Sequence, residues 1–330
     1  MDSALVLVIV ITFLAAIYNF YNGANDCANS IATTVSSRVL TPTKAIMLAA
    51  FFNTIGAFIS TEVAKTIGKG FLPESHMTSA VLISAMIGAI AWSAFATHTG
   101  LPVSITHSII GGIFGAGAAA YGLGAFKWQV FKKVIVAMFT SPVMGFIVGL
   151  LMLAAIFWFF RKGHLAILNK VFGKLQLLSA SFMALSHGMN DTQNAMGVIT
   201  ASLLAGGFIG AFEVPVWVIL FSSVIMGLGT FYGGKKVIKT MGMKMTKIRP
   251  VEGFAAETAA SVVIFISSLL GLPISTTHVI STSIMGVGSV KRFSAVRWGV
   301  AREVIIAWVV TIPAAALVSA LSYWLIDRLI

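Results

Sequence analysis

Two short polar stretches hold the residues best suited to chemistry. Gly23-Ala24-Asn25-Asp26-Cys27-Ala28-Asn29-Ser30 and Gly188-Met189-Asn190-Asp191-Thr192-Gln193-Asn194-Ala195 both contain G-x-N-D-x-x-N, and both lie inside long apolar runs. On a helix, Asn25 and Asn29 stand four residues apart and Asp26 and Asn29 three apart, so all three crowd one face. A carboxylate in a membrane-crossing helix costs roughly 2.5–3.5 kcal/mol. A cation held by carboxylate and amide oxygens would offset that cost, which points to Asp26, Asn29, Asp191 and Asn194 as metal ligands.

A second element also recurs. Gly100-Leu101-Pro102-Val103-Ser104-Ile105-Thr106-His107 and Gly271-Leu272-Pro273-Ile274-Ser275-Thr276-Thr277-His278 agree at six of eight positions. Proline can open a half-helix without losing a hydrogen bond, because the N–H it lacks would have no partner there. Ser104, Thr106, Ser275, Thr276 and Thr277 are then expected in the first turn. Their hydroxyls, the free N–H groups and the positive end of the helix dipole make an anion site. Ser104 and Ser275 are shared with the cation. Asn25, Asn190 and Gln193 for the anion, and Asn29 and Asn194 for the cation, serve either as ligands or as interhelical glue. His107 and His278 either relay protons or bond the hairpin backbone. Asn22, and His187 at the matching place in the second copy, read as pathway residues. So does Glu257, which has no acidic counterpart in the first half.

These motifs need elements to carry them. Of 330 residues, 58% are hydrophobic and 10% charged, which excludes an ordinary soluble globule and indicates a polytopic membrane protein. The net charge is +12, but the 22 basic residues fall in loops or at segment ends, a pattern of membrane orientation rather than a nucleic-acid face. One cysteine, Cys27, excludes an intramolecular disulfide and a Cys-based zinc site. The first apolar segment runs directly into the first motif and is read as a spanning segment rather than a cleaved leader.

Apolar segments are expected at 3–35, 44–64, 78–98, 103–122 and 129–160, then again at 175–206, 213–234, 254–270, 273–288 and 297–326. The first is expected to bend or unwind near Asn22-Gly23. The fold class is therefore all-α, with two repeats (1–160 and 175–330) around a short basic linker at 161–174. Each repeat has an odd number of crossings whether its third and fourth segments span or form a re-entrant or broken hairpin, so the second copy is inverted. With the N-terminus outside, the inner loops hold Arg38 and Lys44, four basic residues at 161–174, six at 235–249 and four at 291–302, leaving six outside. That bias places both termini outside and the linker in the cytoplasm, in the cell membrane.

No Lys or Arg lies mid-segment. An anion at the midplane would face two carboxylates and no fixed cation, so mobile cations must enter with it. The implied activity is cation-coupled anion symport, at a repeat interface near the midplane.

At these motifs the chain resembles the inorganic phosphate transporter family, the PiT or solute carrier 20 type. The resemblance rests on G-A-N-D-x-A-N-S at 23–30, H-G-x-N-D-x-x-N-A at 187–195 and the paired G-L-P-[VI]-S-x-T-H elements. It implies an inverted-repeat fold with two re-entrant hairpins, and phosphate symport by alternating access. Na⁺ is the expected coupling ion and H⁺ the alternative, with no organic cofactor. It also implies roles for Asp26, Asp191, the hairpin Ser and Thr residues, His187 and Glu257. Family members often carry glutamate where this chain has Asn53, and animal members have a long loop where this one has 161–174. The expected partners are phosphate, Na⁺ and the bilayer; a homodimer is admitted. The rival substrate is sulfate. Rival classes are an intramembrane aspartyl protease using Asp26 and Asp191 as a dyad, and an anion channel, which would need basic rings that are absent.

Overall fold

The computed structural model describes residues 3–233 and 248–329, so most of the basic 235–249 stretch lies outside the described residues. Helices α1 (Ser3–Ser36), α2 (Pro42–Gly56), α3 (Glu62–Lys69), α4 (Ser79–Thr99), α5 (Ile105–Tyr121) and α6 (Trp128–Phe159) belong to the first repeat. Helices α7 (Leu165–Ala205), α8 (Val216–Tyr232), α9 (Pro250–Leu269), α10 (Thr276–Lys291) and α11 (Trp298–Ile326) belong to the second. Helices α1, α4, α6, α9 and the Val304–Ile326 part of α11 are long and apolar enough to cross a membrane. With 17 and 16 residues, α5 and α10 reach only roughly 24–26 Å, short of a hydrocarbon core of about 30 Å.

The two hairpins are re-entrant, and they open on opposite faces. Ser79 at the start of α4 and Tyr121 at the end of α5 line the same surface groove as Leu7 of α1 and Asp327 after α11. The α4–α5 hairpin therefore enters and leaves on the face that carries both ends of the described chain. At the start of α9, Glu252 pairs with Lys291 at the end of α10, so this hairpin also returns to the face it left. Glu257, little more than a turn further along α9, accepts a hydrogen bond from Thr34 at the far end of α1. The 34 residues of α1 span about 50 Å, which puts this second opening on the other side. The repeats are inverted, as their odd number of crossings requires.

The repeats interlock rather than sit side by side. Helix α6 packs along α10, α11 along α5, α1 against α8, and α7 against α2. One apolar core forms around the first hairpin, through Leu82, Ile105, Ile109 and Ile113 with Met196 of α7. Another forms around the second, through Ile264, Ile274, Ile280 and Ile284 with Leu153 of α6. Large apolar side chains such as Phe13, Phe139, Val216 and Val309 face outward, as a lipid-contacting surface does.

Four local expectations change. Helix α1 runs unbroken through Asn22-Gly23, because the amides there find tertiary partners and need no unwound backbone. The 44–64 segment divides into α2 and α3. The prolines do not lie in the first turn of a half-helix. Gly100 (φ 79°) and Gly271 (φ 67°) turn the chain in a left-handed conformation suited to glycine. Pro102 and Pro273 follow in the non-helical stretch, and Ser104 and Ser275 then cap α5 and α10. Each Ser Oγ accepts from a histidine N–H, His107 and His278 respectively, at 3.1 Å, and each cap is worth about 1 kcal/mol. Helix α7 begins at Leu165, within the 161–174 stretch.

Candidate functional site

Both G-x-N-D-x-x-N motifs lie on α1 and α7, which pack together. The opening glycine lets a neighbouring backbone come close. A Cβ on Gly23 would fall 2.4 Å from Met226 O of α8, and one on Gly188 would fall 2.1 Å from Asn53 O of α2.

The first asparagine of each motif ties it to its own hairpin. Asn25 Nδ2 donates to Thr97 Oγ1 at 3.2 Å and Leu101 O at 3.4 Å. Asn190 meets Ser268 Oγ at 2.7 Å. With its amide turned so that both ends are satisfied, Asn190 accepts from Ser268 and donates to Ile274 O at 3.2 Å and Asp191 Oδ1 at 3.1 Å. The last asparagine crosses to the other repeat. Asn29 Nδ2 donates to Thr276 Oγ1 at 3.1 Å and Thr277 Oγ1 at 3.0 Å, and Asn194 Nδ2 donates to Thr106 Oγ1 at 3.0 Å. Each motif therefore holds both hairpin tips.

The two carboxylates meet at these tips. Thr277 Oγ1 donates to Asp26 Oδ1 at 3.2 Å. Thr276 Oγ1 lies 3.2 Å from Asp191 Oδ2 and 3.5 Å from Asp26 Oδ2, so its single hydrogen serves one carboxylate at a time. His187 Nε2 sits 3.3 Å from Asp191 Oδ2 and 3.8 Å from Asp26 Oδ2. One ligand atom from each of Asp26, His187 and Asp191 falls within 4.8 Å of the others. His187 Nδ1 lies 3.0 Å from Asn53 Oδ1, and Asn53 Nδ2 donates to Thr230 Oγ1 at 2.9 Å. All of this is buried: Asp26 and Asp191 are each 1% exposed.

The donor set suits a small hard cation. The buried Oδ1 atoms of Asn22, Asn25, Asn29 and Asn194 have no hydrogen-bond partner, and carboxylate and amide oxygens are hard ligands. Among the described residues no Lys or Arg is buried.

The other expected residues take different places. Asn22 Nδ2 donates to Asp191 O at 3.3 Å. Gln193 is occupied at both ends: Oε1 accepts from Ala64 N–H of α3 at 2.9 Å and Nε2 donates to Met189 O at 2.6 Å. The rings of His107 and His278 meet edge to face with centroids 4.5 Å apart, and His278 stacks on Trp308 at 3.8 Å. Glu257 accepts from Thr33, from Thr34 at 2.7 Å, from Ser179 and from Gln176 Nε2 at 3.1 Å. It thus joins α1, α7 and α9 about one turn beyond Asn29. Glu257→Gln replaces one of two acceptor oxygens with a donor, facing either Ser179 or the Thr33, Thr34 and Gln176 donors. The expected cost is about 1–3 kcal/mol, read as a melting temperature several degrees lower in detergent.

Sequence reasoning missed Thr97 and Ser268, although each stands three residues before a G-L-P element. It also missed Gln176 and Ser179, polar residues three apart on an otherwise apolar stretch of α7.

The model of the "Phosphate transporter family" matches residues 22–171 and 162–319. A Rhizobium meliloti (strain 1021) protein described as "Probable low-affinity inorganic phosphate transporter" is 42% identical over 99% of both chains. A Bacillus subtilis (strain 168) protein of the same description is 41% identical over the full length of both. A solved structure described as "The sodium-dependent phosphate transporter" matches with a TM-score of 0.91 and 28% identity, covering 98% of this chain and 100% of that one. These relatives are named as transporters rather than enzymes, and the chain belongs to the phosphate transporter family.

Proposed function

We propose that the protein carries inorganic phosphate across the cell membrane together with Na⁺, by alternating access around the Asp26–Asp191 pair. The observation that carries this reading is electrostatic: two buried carboxylates lie at the hairpin tips, with no buried lysine or arginine among the described residues. A phosphate anion can rest there only when cations arrive with it. Asp26, Asp191 and the open Oδ1 atoms of Asn29 and Asn194 hold Na⁺, with the Thr276 and Thr277 hydroxyls bonded to the two carboxylates, while the capped N-termini of α5 and α10 and the hydroxyl of Thr106 face phosphate. Neither charge binds well alone, so the two are coupled. The similar solved transporter is described as sodium-dependent, which supports Na⁺ here. The position of His187 between both carboxylates favours a second reading, in which a proton takes the cation's place.

We further place both termini outside and 161–174 in the cytoplasm, with the first repeat ending at 160 and the second opening on α7. The test of function is radiolabelled phosphate uptake into proteoliposomes, with a Na⁺ gradient or a pH gradient imposed separately. Uptake on the Na⁺ gradient, unaffected by excess sulfate, is expected. Uptake driven by a pH gradient without Na⁺ would transfer the role to H⁺, and no uptake under either would refute the reading.

A further inference from the structure

Away from the carboxylate pair, a surface groove of about 490 Å³ runs between α3, the start of α6 and the tip of the second hairpin. Its walls carry Lys65, Lys69, Lys127 and Lys133 against Glu62 and Glu74, a net of two positive charges, and its floor includes Leu270, Gly271 and Leu272. The two ion pairs leave the lysines available. Lys65–Glu62 at 2.6 Å and Lys69–Glu74 at 3.9 Å are both well exposed, with lysine side chains 43% and 39% accessible, and such pairs are weak. Lys69 is also held over the Phe212 ring at 5.4 Å, and Lys127 Nζ donates to Lys69 O at 2.9 Å.

The groove is joined to the site by α3. Thr66 Oγ1 donates to Gly271 O at 2.7 Å, at the groove floor. One half-turn earlier, Ala64 N–H donates to Gln193, two residues past Asp191. The same short helix therefore contacts the hairpin tip and the second motif.

We propose that this lysine groove is an outer binding place for a phosphate group, where an anion is concentrated before it passes the second hairpin. This inference rests on the phosphate reading above. The carboxylate pair repels an anion that arrives without cations, so an approach of opposite sign answers a need that the inner site creates. A cleft of net positive charge raises local anion concentration, an effect salt weakens. Free orthophosphate and a lipid headgroup share the recognised chemistry, and vesicle composition tells them apart.

The experiment measures phosphate KM in proteoliposomes at fixed Na⁺, with ionic strength varied by choline chloride. Changing all four lysines to glutamine should raise KM about tenfold at low ionic strength, with kcat unchanged, and should flatten the dependence of KM on salt. Changing all four to arginine should restore both. Lys133→Glu, a single exposed change, should raise KM severalfold on its own. A shift present in zwitterionic vesicles assigns the groove to free phosphate, and one confined to anionic vesicles assigns it to a headgroup; both support the site. Unmutated protein that transports phosphate, with glutamine and glutamate variants of unchanged KM and salt dependence, would overturn the groove alone. Unmutated protein that takes up no phosphate would overturn the transport reading and this inference with it.

Discussion

Asp26→Asn and Asp191→Asn are each expected to lower Na⁺-driven phosphate uptake ~100-fold or more while the protein stays folded. Removing one partner from a buried ion contact costs about 3–5 kcal/mol, and each 1.4 kcal/mol is a factor of ten. The folded state should tolerate both changes, because the threonine hydrogen bonds these carboxylates accept are available to an amide oxygen, and Asp191→Asn gives up only the bond from Asn190 to Oδ1. Asn at 26 keeps an Oδ1 for Thr277, now 3.2 Å from Asp26 Oδ1, and Asn at 191 keeps one for Thr276. The loss should therefore lie in the cation. Initial uptake rates, set against the elution profile and melting temperature of each variant in detergent, separate the two effects. Uptake within threefold of the unmutated protein would show that the carboxylates serve the fold alone.

How far the sequence discloses this arrangement depends on whether a contact is local or crosses the repeats. The spacing of Asn25, Asp26 and Asn29 places three oxygens on one helix face before any tertiary structure is known. The recurrence of both motifs makes inversion readable as well, since an odd number of crossings follows from the segment list. Contacts within one repeat, such as Asn25 with Thr97, leave a trace because Ser268 occupies the matching place. The crossing of Asn29 to Thr277 and of Asn194 to Thr106 leaves none. It arises from the exchange of helices between repeats, which no local pattern encodes. The unbroken course of α1 was hidden for a similar reason: Gly23 reads as a break until α8 is seen against it. Glu257 was visible as a buried acid, but its partners come from α1 and α7 and share no spacing with it.

The departures from symmetry within the site lead to the second large expected effect. Thr276 stands where the first hairpin has Ile105, and it is Thr276 and Thr277 whose hydroxyls reach the carboxylates. Thr106, the counterpart of Thr277, is instead bonded to Asn194. The two hairpin tips should therefore divide the work, the second serving the cation more than the first. A hydroxyl bonded to a charged group contributes about 1.5–3 kcal/mol, so Thr276→Val should raise the Na⁺ concentration for half-maximal uptake about tenfold. Its phosphate KM, measured at saturating Na⁺, should move little. Thr106→Val should do the reverse, raising phosphate KM more than the Na⁺ requirement. Valine keeps the β-branched shape of threonine, so helix starts and packing are little disturbed and the contrast reports the hydroxyl. If both variants shift the two ligands equally, the hairpins act as one symmetric clamp, and the assignment of Na⁺ to the second tip fails.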